Sequence, residues 1–169
     1  MRHFERQSDG TLTAELDAEE AVLLQSLAGQ VSELVADAAL RETQGTPADS
    51  AVARLLPDAY PGDSEASAEF RRFTESGLAE RKVANAEAVI RSLAGSGVTG
   101  SVTLDEPEAL SWLRCLTDIR LTIASRLGIK TEDDEAGRGI DPLMREIYDW
   151  LGFVQNSLIE ALDDAAARG

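Results

Sequence analysis

Hydrophobic residues change their spacing several times along this chain, and each change marks an element. In the first sixteen residues Phe4 sits among polar neighbours, Asp9-Gly10 supplies a turn, and Leu12, Ala14 and Leu16 alternate with Thr11, Thr13 and Glu15. That alternation predicts a β-hairpin. The period then lengthens, and Leu24, Leu27, Val31, Leu34, Val35 and Ala38 share one helical face. Asp17 with Glu20 three residues on forms a capping-box pattern at the start of that helix. Gln44-Gly45-Thr46-Pro47 ends it near Thr43. A short helix from about Ser50 to Leu56 follows, stopped by Pro57, and Tyr60-Pro61-Gly62-Asp63 reads as a turn.

The stretch from about Glu65 to Leu93 carries two stripes. Phe70, Phe73 and Gly77 fall on one side; Ala79, Val83, Ala86, Ile90 and Leu93 fall on another. Ser76-Gly77 lies where the stripe changes, which predicts a kink or two abutting helices. Gly95-Ser96-Gly97 breaks the chain, Ser101-Val102-Thr103-Leu104 reads as a short strand, and a helix spans roughly Glu106 to Leu127 with Gly128 as its stop. The segment Lys130 to Gly139, with Thr131-Glu132-Asp133-Asp134-Glu135 in it, reads as a flexible acidic loop. Asp141 and Pro142 open the last helix, whose buried face is Leu143, Ile147, Trp150, Leu151, Val154, Leu158 and Ala161. The expected fold is mainly α: one domain over residues 1–169, a bundle of about five helices with a minor two- or three-stranded sheet from the hairpin and the strand near 101–104.

One internal echo bears on that sheet. Leu16-Asp17-Ala18-Glu19-Glu20-Ala21 and Leu104-Asp105-Glu106-Pro107-Glu108-Ala109 share the same order of strand end, cap and apolar helix. Capping rules alone produce such matches. The alternative is two equivalent strand–helix units that pair their strands in one sheet.

Charge changes the picture more than composition does. Hydrophobic residues make up 43% of the chain and aromatics only 5%, so aliphatic packing fills the core. Sixteen Lys and Arg face 31 Asp and Glu, a net charge of -15. That field disfavours direct nucleic-acid binding, which depends on clustered basic residues, and favours a basic protein partner. Met1-Arg2-His3-Phe4-Glu5-Arg6 has no apolar run behind it, and no stretch of apolar residues is long enough for a span. The expectation is a cytoplasmic protein with no signal peptide and no membrane segment.

Candidate chemistry is sparse. His3 is the lone histidine and reads as a surface residue; Gly95, Gly97 and Gly100 precede a strand with no following Lys, unlike a phosphate loop. Asp133-Asp134-Glu135 and Asp163-Asp164 lack the spacing of a calcium loop. No catalytic residue, metal ligand or cofactor is expected. Arg71, Arg72, Arg81 and Lys82 are interleaved with Glu69, Glu75, Glu80 and Glu87, which favours intrahelical ion pairs over a nucleic-acid-reading helix face. Arg120 lies within the stripe of Leu113, Leu116, Ile123, Ala124 and Leu127, so its charge must be compensated. A buried ion pair with Asp149, or with Glu146, is the expected answer; an anion site is the alternative. Cys115 is the single cysteine, which excludes an internal disulfide. On the edge of an apolar arc it is either an inert packed thiol or a redox site. Tyr148, Phe153 and Ile159 lie outside the main stripe of the last helix and are candidate interaction residues, covering the chain's own short helix and loop or meeting a second copy in a homodimer.

Several segments occur together in a telling order: Met1-Arg2-x-Phe4-x-Arg6, Glu20-Ala21-Val22-Leu23-Leu24 through Leu27-Ala28-Gly29, and Arg54-Leu55-Leu56-Pro57-Asp58-Ala59-Tyr60. Trp112-Leu113-Arg114-x-Leu116-x-Asp118-x-Arg120-Leu121 and Tyr148-Asp149-Trp150-Leu151-x-x-Val154-Gln155-x-x-Leu158 complete it. Over nearly its whole length the chain resembles the actinobacterial AosR-like family, long catalogued as a domain of unknown function. The resemblance implies a non-enzymatic, cytoplasmic regulator of the oxidative-stress response that acts on transcription through contact with a sigma factor. An adaptor or structural role linked to Clp proteolysis is the alternative it implies. The family's redox switch relies on a closely spaced cysteine pair near the amino terminus, and this sequence has no cysteine there.

Overall fold

Two strand–helix units meet through their strands in the computed structural model, which describes residues 1–41, 49–57, 64–95, 100–129 and 141–166. Strand β1 (Glu5–Arg6) and β2 (Leu12–Glu15) form the expected hairpin, and β3 (Ser101–Leu104) adds to the far side of β2. The sheet order is β1-β2-β3, antiparallel throughout. Register places Leu12 opposite Leu104 and Ala14 opposite Val102, and all four side chains are buried. One face of the sheet is thereby committed to the core, which fixes the pairing against a one-residue slip.

The internal echo is therefore structural. Behind β2, Asp17 and Glu20 exchange backbone hydrogen bonds at the start of α1 (Ala18–Arg41), each 2.9 Å. Behind β3, Asp105 and Glu108 do the same at the start of α4 (Glu106–Arg126), at 3.0 and 2.8 Å. Each pair satisfies two amides that a helix start leaves without partners. The strands are tied at the junction too: the Leu16 amide donates to the Gly100 carbonyl at 2.9 Å. Gly100 has φ +64°, and a Cβ there would stand 1.9 Å from the Leu16 carbonyl oxygen. Only glycine fits.

Helix α2 (Ser50–Leu55) is short and capped by Asp49, whose side chain accepts from the Ala51 amide. Helix α3 runs Ser64–Gly95 as one element, not as two helices meeting at Ser76-Gly77. A single interior glycine costs about 1 kcal/mol of helix propensity but removes no hydrogen bond, so the helix carries through it. Of the two stripes expected there, Ala79, Ala86 and Leu93 are buried, joined by Val89; the side chains of Phe70 and Phe73 lie outside the described residues. So do the turn at 60–63 and the expected acidic loop at 130–139. Helix α4 ends as Gly128 requires: at φ +71° it donates to the Ser125 carbonyl, and Ile129 donates to that of Ala124. Helix α5 (Pro142–Ala166) starts from Asp141, whose carboxylate accepts from the Leu143 amide.

Helices α1 and α3 pack most heavily on each other, α3 also packs on α4, and both α2 and α5 lie on α4. Trp112 of α4 is fully buried, stands edge-on to Phe4 at 5.8 Å, and donates its indole N–H to Ser92 of α3 at 2.9 Å. The Phe4 amide in turn donates to Ser157 of α5, a buried 2.6 Å bond. Leu151, Val154, Leu158 and Ala161 of α5 are buried as expected, whereas Leu143 is 63% exposed. The first turn of α5 projects past the core that covers the rest of its stripe.

Candidate functional site

Helix α4 touches every other helix, so the groups on its flanks decide what the molecule offers. Arg120 was expected to pair with Asp149; it does not. Its Nη1 donates to Gln155 Oε1 at 2.7 Å, and its guanidinium carbon lies 4.7 Å from the centre of the Tyr148 ring. Gln155 passes the contact back to α4 by donating to Thr117 at 2.8 Å. Gly152 lies against the cation, and a Cβ there would meet Arg120 Cζ at an ordinary contact distance of 3.6 Å. Tyr148, Gly152 and Gln155 follow the spacing i, i+4, i+7, which is one α5 stripe. Asp149 lies about 100° further round the helix and cannot join that stripe. It is 62% exposed and pairs with Arg145, one turn back on its own helix. Ring and amide thus compensate Arg120 where a carboxylate was expected, while its buried Nε has no hydrogen-bond partner.

The ion pair across helices lies elsewhere. Lys82 Nζ of α3 sits 2.5 Å from Asp118 Oδ1 of α4, with side-chain exposures of 15% and 5%. Burial pushes the Asp118 carboxyl above its ordinary value, and the Lys82 hydrogen bond and charge offset only part of that. Lys82 was read as part of an intrahelical charge pattern, so this pair was missed. The signal available was Asp118 itself, an acid set between Cys115 and Ile119 on an apolar arc.

Cys115 is 2% exposed, and burial, reinforced by the Asp118 charge, pushes its thiol up to about 12. A thiol so placed stays protonated and out of reach of oxidants, against the redox alternative. The three interaction candidates do not make one patch. Tyr148 is half-buried under Arg120; Phe153, 37% exposed, packs edge-on against His3 at 4.6 Å; Ile159 is 39% exposed. Phe153 covers the amino-terminal strand region of its own chain, not the short helix.

Two open grooves flank α4. The first, about 370 Å³, lies between α1 and α4, with Leu27, Val31, Leu34, Ile119 and Ile123 as floor. Its rim carries Glu33, Asp37 and Met144, together with Arg126, which Asp49 holds at 2.7 Å. The second, about 560 Å³, lies between α3 and α4 around the Lys82–Asp118 pair. Among the described residues no group of three His, Cys, Asp or Glu side chains is placed to hold a metal ion, and no helix is long and apolar enough to cross a membrane.

A model of the family described as "Domain of unknown function (DUF2017)" matches residues 1–162. The chain is also similar to proteins named "Oxidative stress regulator AosR" from Mycobacterium bovis and from two strains of Mycobacterium tuberculosis. Each is 26% identical over 190 residues, an alignment that covers 95% of this chain and 86% of the relative. No solved structure matches.

Proposed function

The chain belongs to the DUF2017 family, and on that footing we propose that it is a non-enzymatic regulator of the oxidative-stress response that works by binding a protein of the transcription machinery, a sigma factor in the first instance. The observation that carries this reading is the alignment with the stress-regulator relatives across 95% of the chain. Correspondence over that length supports a shared role for the whole domain better than a shared fragment would.

The groove between α1 and α4 supports a protein as the ligand. Its floor is aliphatic, it is open along one side, and the exposed Glu33 and Asp37 stand on its α1 edge. An amphipathic helix lays its apolar face into such a groove, anchored at i, i+3 and i+4 spacing. The acidic edge and the net charge of -15 select a helix with basic flanks. Helix-bearing, basic segments are what this surface is suited to take.

Affinity capture of the tagged protein from its own cells, with and without peroxide, tests the proposal by mass spectrometry. The expected result is a sigma factor or RNA polymerase subunits, in amounts that change with peroxide. Recovery of Clp protease components without transcription proteins would contradict it and favour an adaptor in proteolysis.

A further inference from the structure

The second groove carries a different charge. Arg81 and Lys82 of α3 and Arg114 of α4 line it, with Asn85 beside them and Leu78 and Ala84 contributing apolar surface. On this acidic protein most described basic side chains meet an acceptor: Arg2, Arg54, Lys82, Arg91, Arg120, Arg126 and Arg145 do, whereas Arg6 on the hairpin does not. Arg81 and Arg114 are exposed and have no acceptor among the described residues, and they line the same groove. Lys82 is already neutralised by Asp118 at its base. Two unspent guanidinium groups therefore stand over a half-open, partly apolar cleft.

We propose that the α3–α4 groove is a docking site for a short acidic segment of a partner protein, with its carboxylates on Arg81 and Arg114 and its aliphatic side chains against Leu78 and Ala84. Guanidinium groups take carboxylates through paired, charge-assisted hydrogen bonds, which gives the groove direction as well as attraction. A long polyanion is a poor fit. It would have to pass beyond the groove over Glu80 and Glu87, both exposed on the same helix, and no counterion release would repay that repulsion. A short segment carries fewer negative charges past them, and it offers Leu78 and Ala84 the aliphatic side chains that a phosphate backbone lacks. The site goes beyond the function proposed above: it lies on another flank of α4 and takes the opposite charge.

Fluorescence anisotropy with a labelled peptide of three helical turns, Glu-rich with Leu at every fourth position, tests this on the full chain. Versions with Gln or Lys in place of Glu, inorganic pyrophosphate and a short DNA duplex serve as competing probes. The expected result is saturable binding of the acidic peptide alone, weakened about tenfold or more in Arg81→Glu/Arg114→Glu, as loss of close charge pairs at an interface does. Arg91→Glu, on the same helix outside the groove, leaves binding intact, and unchanged circular dichroism shows that the variants fold. Absence of peptide binding, equal binding in the double variant, or a preference for pyrophosphate or DNA overturns the proposal.

Discussion

Burial decides the behaviour of the ionisable groups on α4. Cys115 is shielded from solvent with its thiol pushed up to about 12, so at pH 8 it should resist alkylation in the native protein and react only when the chain is unfolded in urea. Mass spectrometry of iodoacetamide-treated protein checks this, and fast native labelling would contradict it. Cys115 is then not the group through which peroxide would act on the folded chain. Asp118 makes a prediction with a definite sign. Its folded carboxyl holds a proton more tightly than the ordinary value of 3.8 allows, so titration of this group favours folding at low pH. That contribution fades as pH rises through the raised folded value. Relative to Asp118→Asn, the wild type should therefore lose stability as pH climbs from about 4 toward neutrality, as urea unfolding at each pH would show. A difference that is flat with pH would contradict the burial argument. Lys82→Ala removes the compensating cation instead and should destabilise the fold by about 3 kcal/mol at pH 7.

Elements whose signals are local were legible in the sequence, and those that depend on reach across the fold were not. Both capping boxes, the hairpin, the Gly128 stop and the Asp141-Pro142 start rest on residues at most a few positions apart, and the structure has them all. The echo between Asp17-Glu20 and Asp105-Glu108 even foreshadowed the β2–β3 pairing. Arg120 shows the limit. Its need for compensation was visible from the stripe, but Asp149 against Gln155 is a question of helix phase that α4's sequence does not contain. Lys82–Asp118 spans two helices and 36 positions: the apolar arc around Asp118 shows that the acid needs a partner, but no local pattern says which. The grooves are further still from legibility, since they exist only once α1, α3 and α4 are set side by side. Gly100 sits at the junction of the two strand–helix units, where its carbonyl accepts from the Leu16 amide. Gly100→Ala forces a strained φ and a collision with the Leu16 carbonyl, so it should cost about 3 kcal/mol in denaturant unfolding. A change below about 0.5 kcal/mol, the size of an ordinary surface substitution, would show that the junction relaxes freely.

At the scale of the whole molecule, charge and shape act together. On the function proposed above, a net charge of -15 would draw basic partners from a distance and the apolar groove between α1 and α4 would give the encounter a place to end. Association with a transcription protein should accordingly weaken as ionic strength rises, mainly through a slower on-rate. The basic groove on the other flank of α4 is a local exception to the same field, able to receive an acidic segment while the rest of the surface repels it. Calorimetry with the purified sigma factor shows whether this chain binds a protein in the α1–α4 groove, as proposed. Glu33→Lys/Met144→Asp alters the rim at exposed positions without touching the core, and Glu160→Lys changes an exposed charge elsewhere. The rim variant should lose about tenfold or more in affinity while Glu160→Lys binds like the wild type. Equal affinity in all three proteins, or no binding by any, would contradict it.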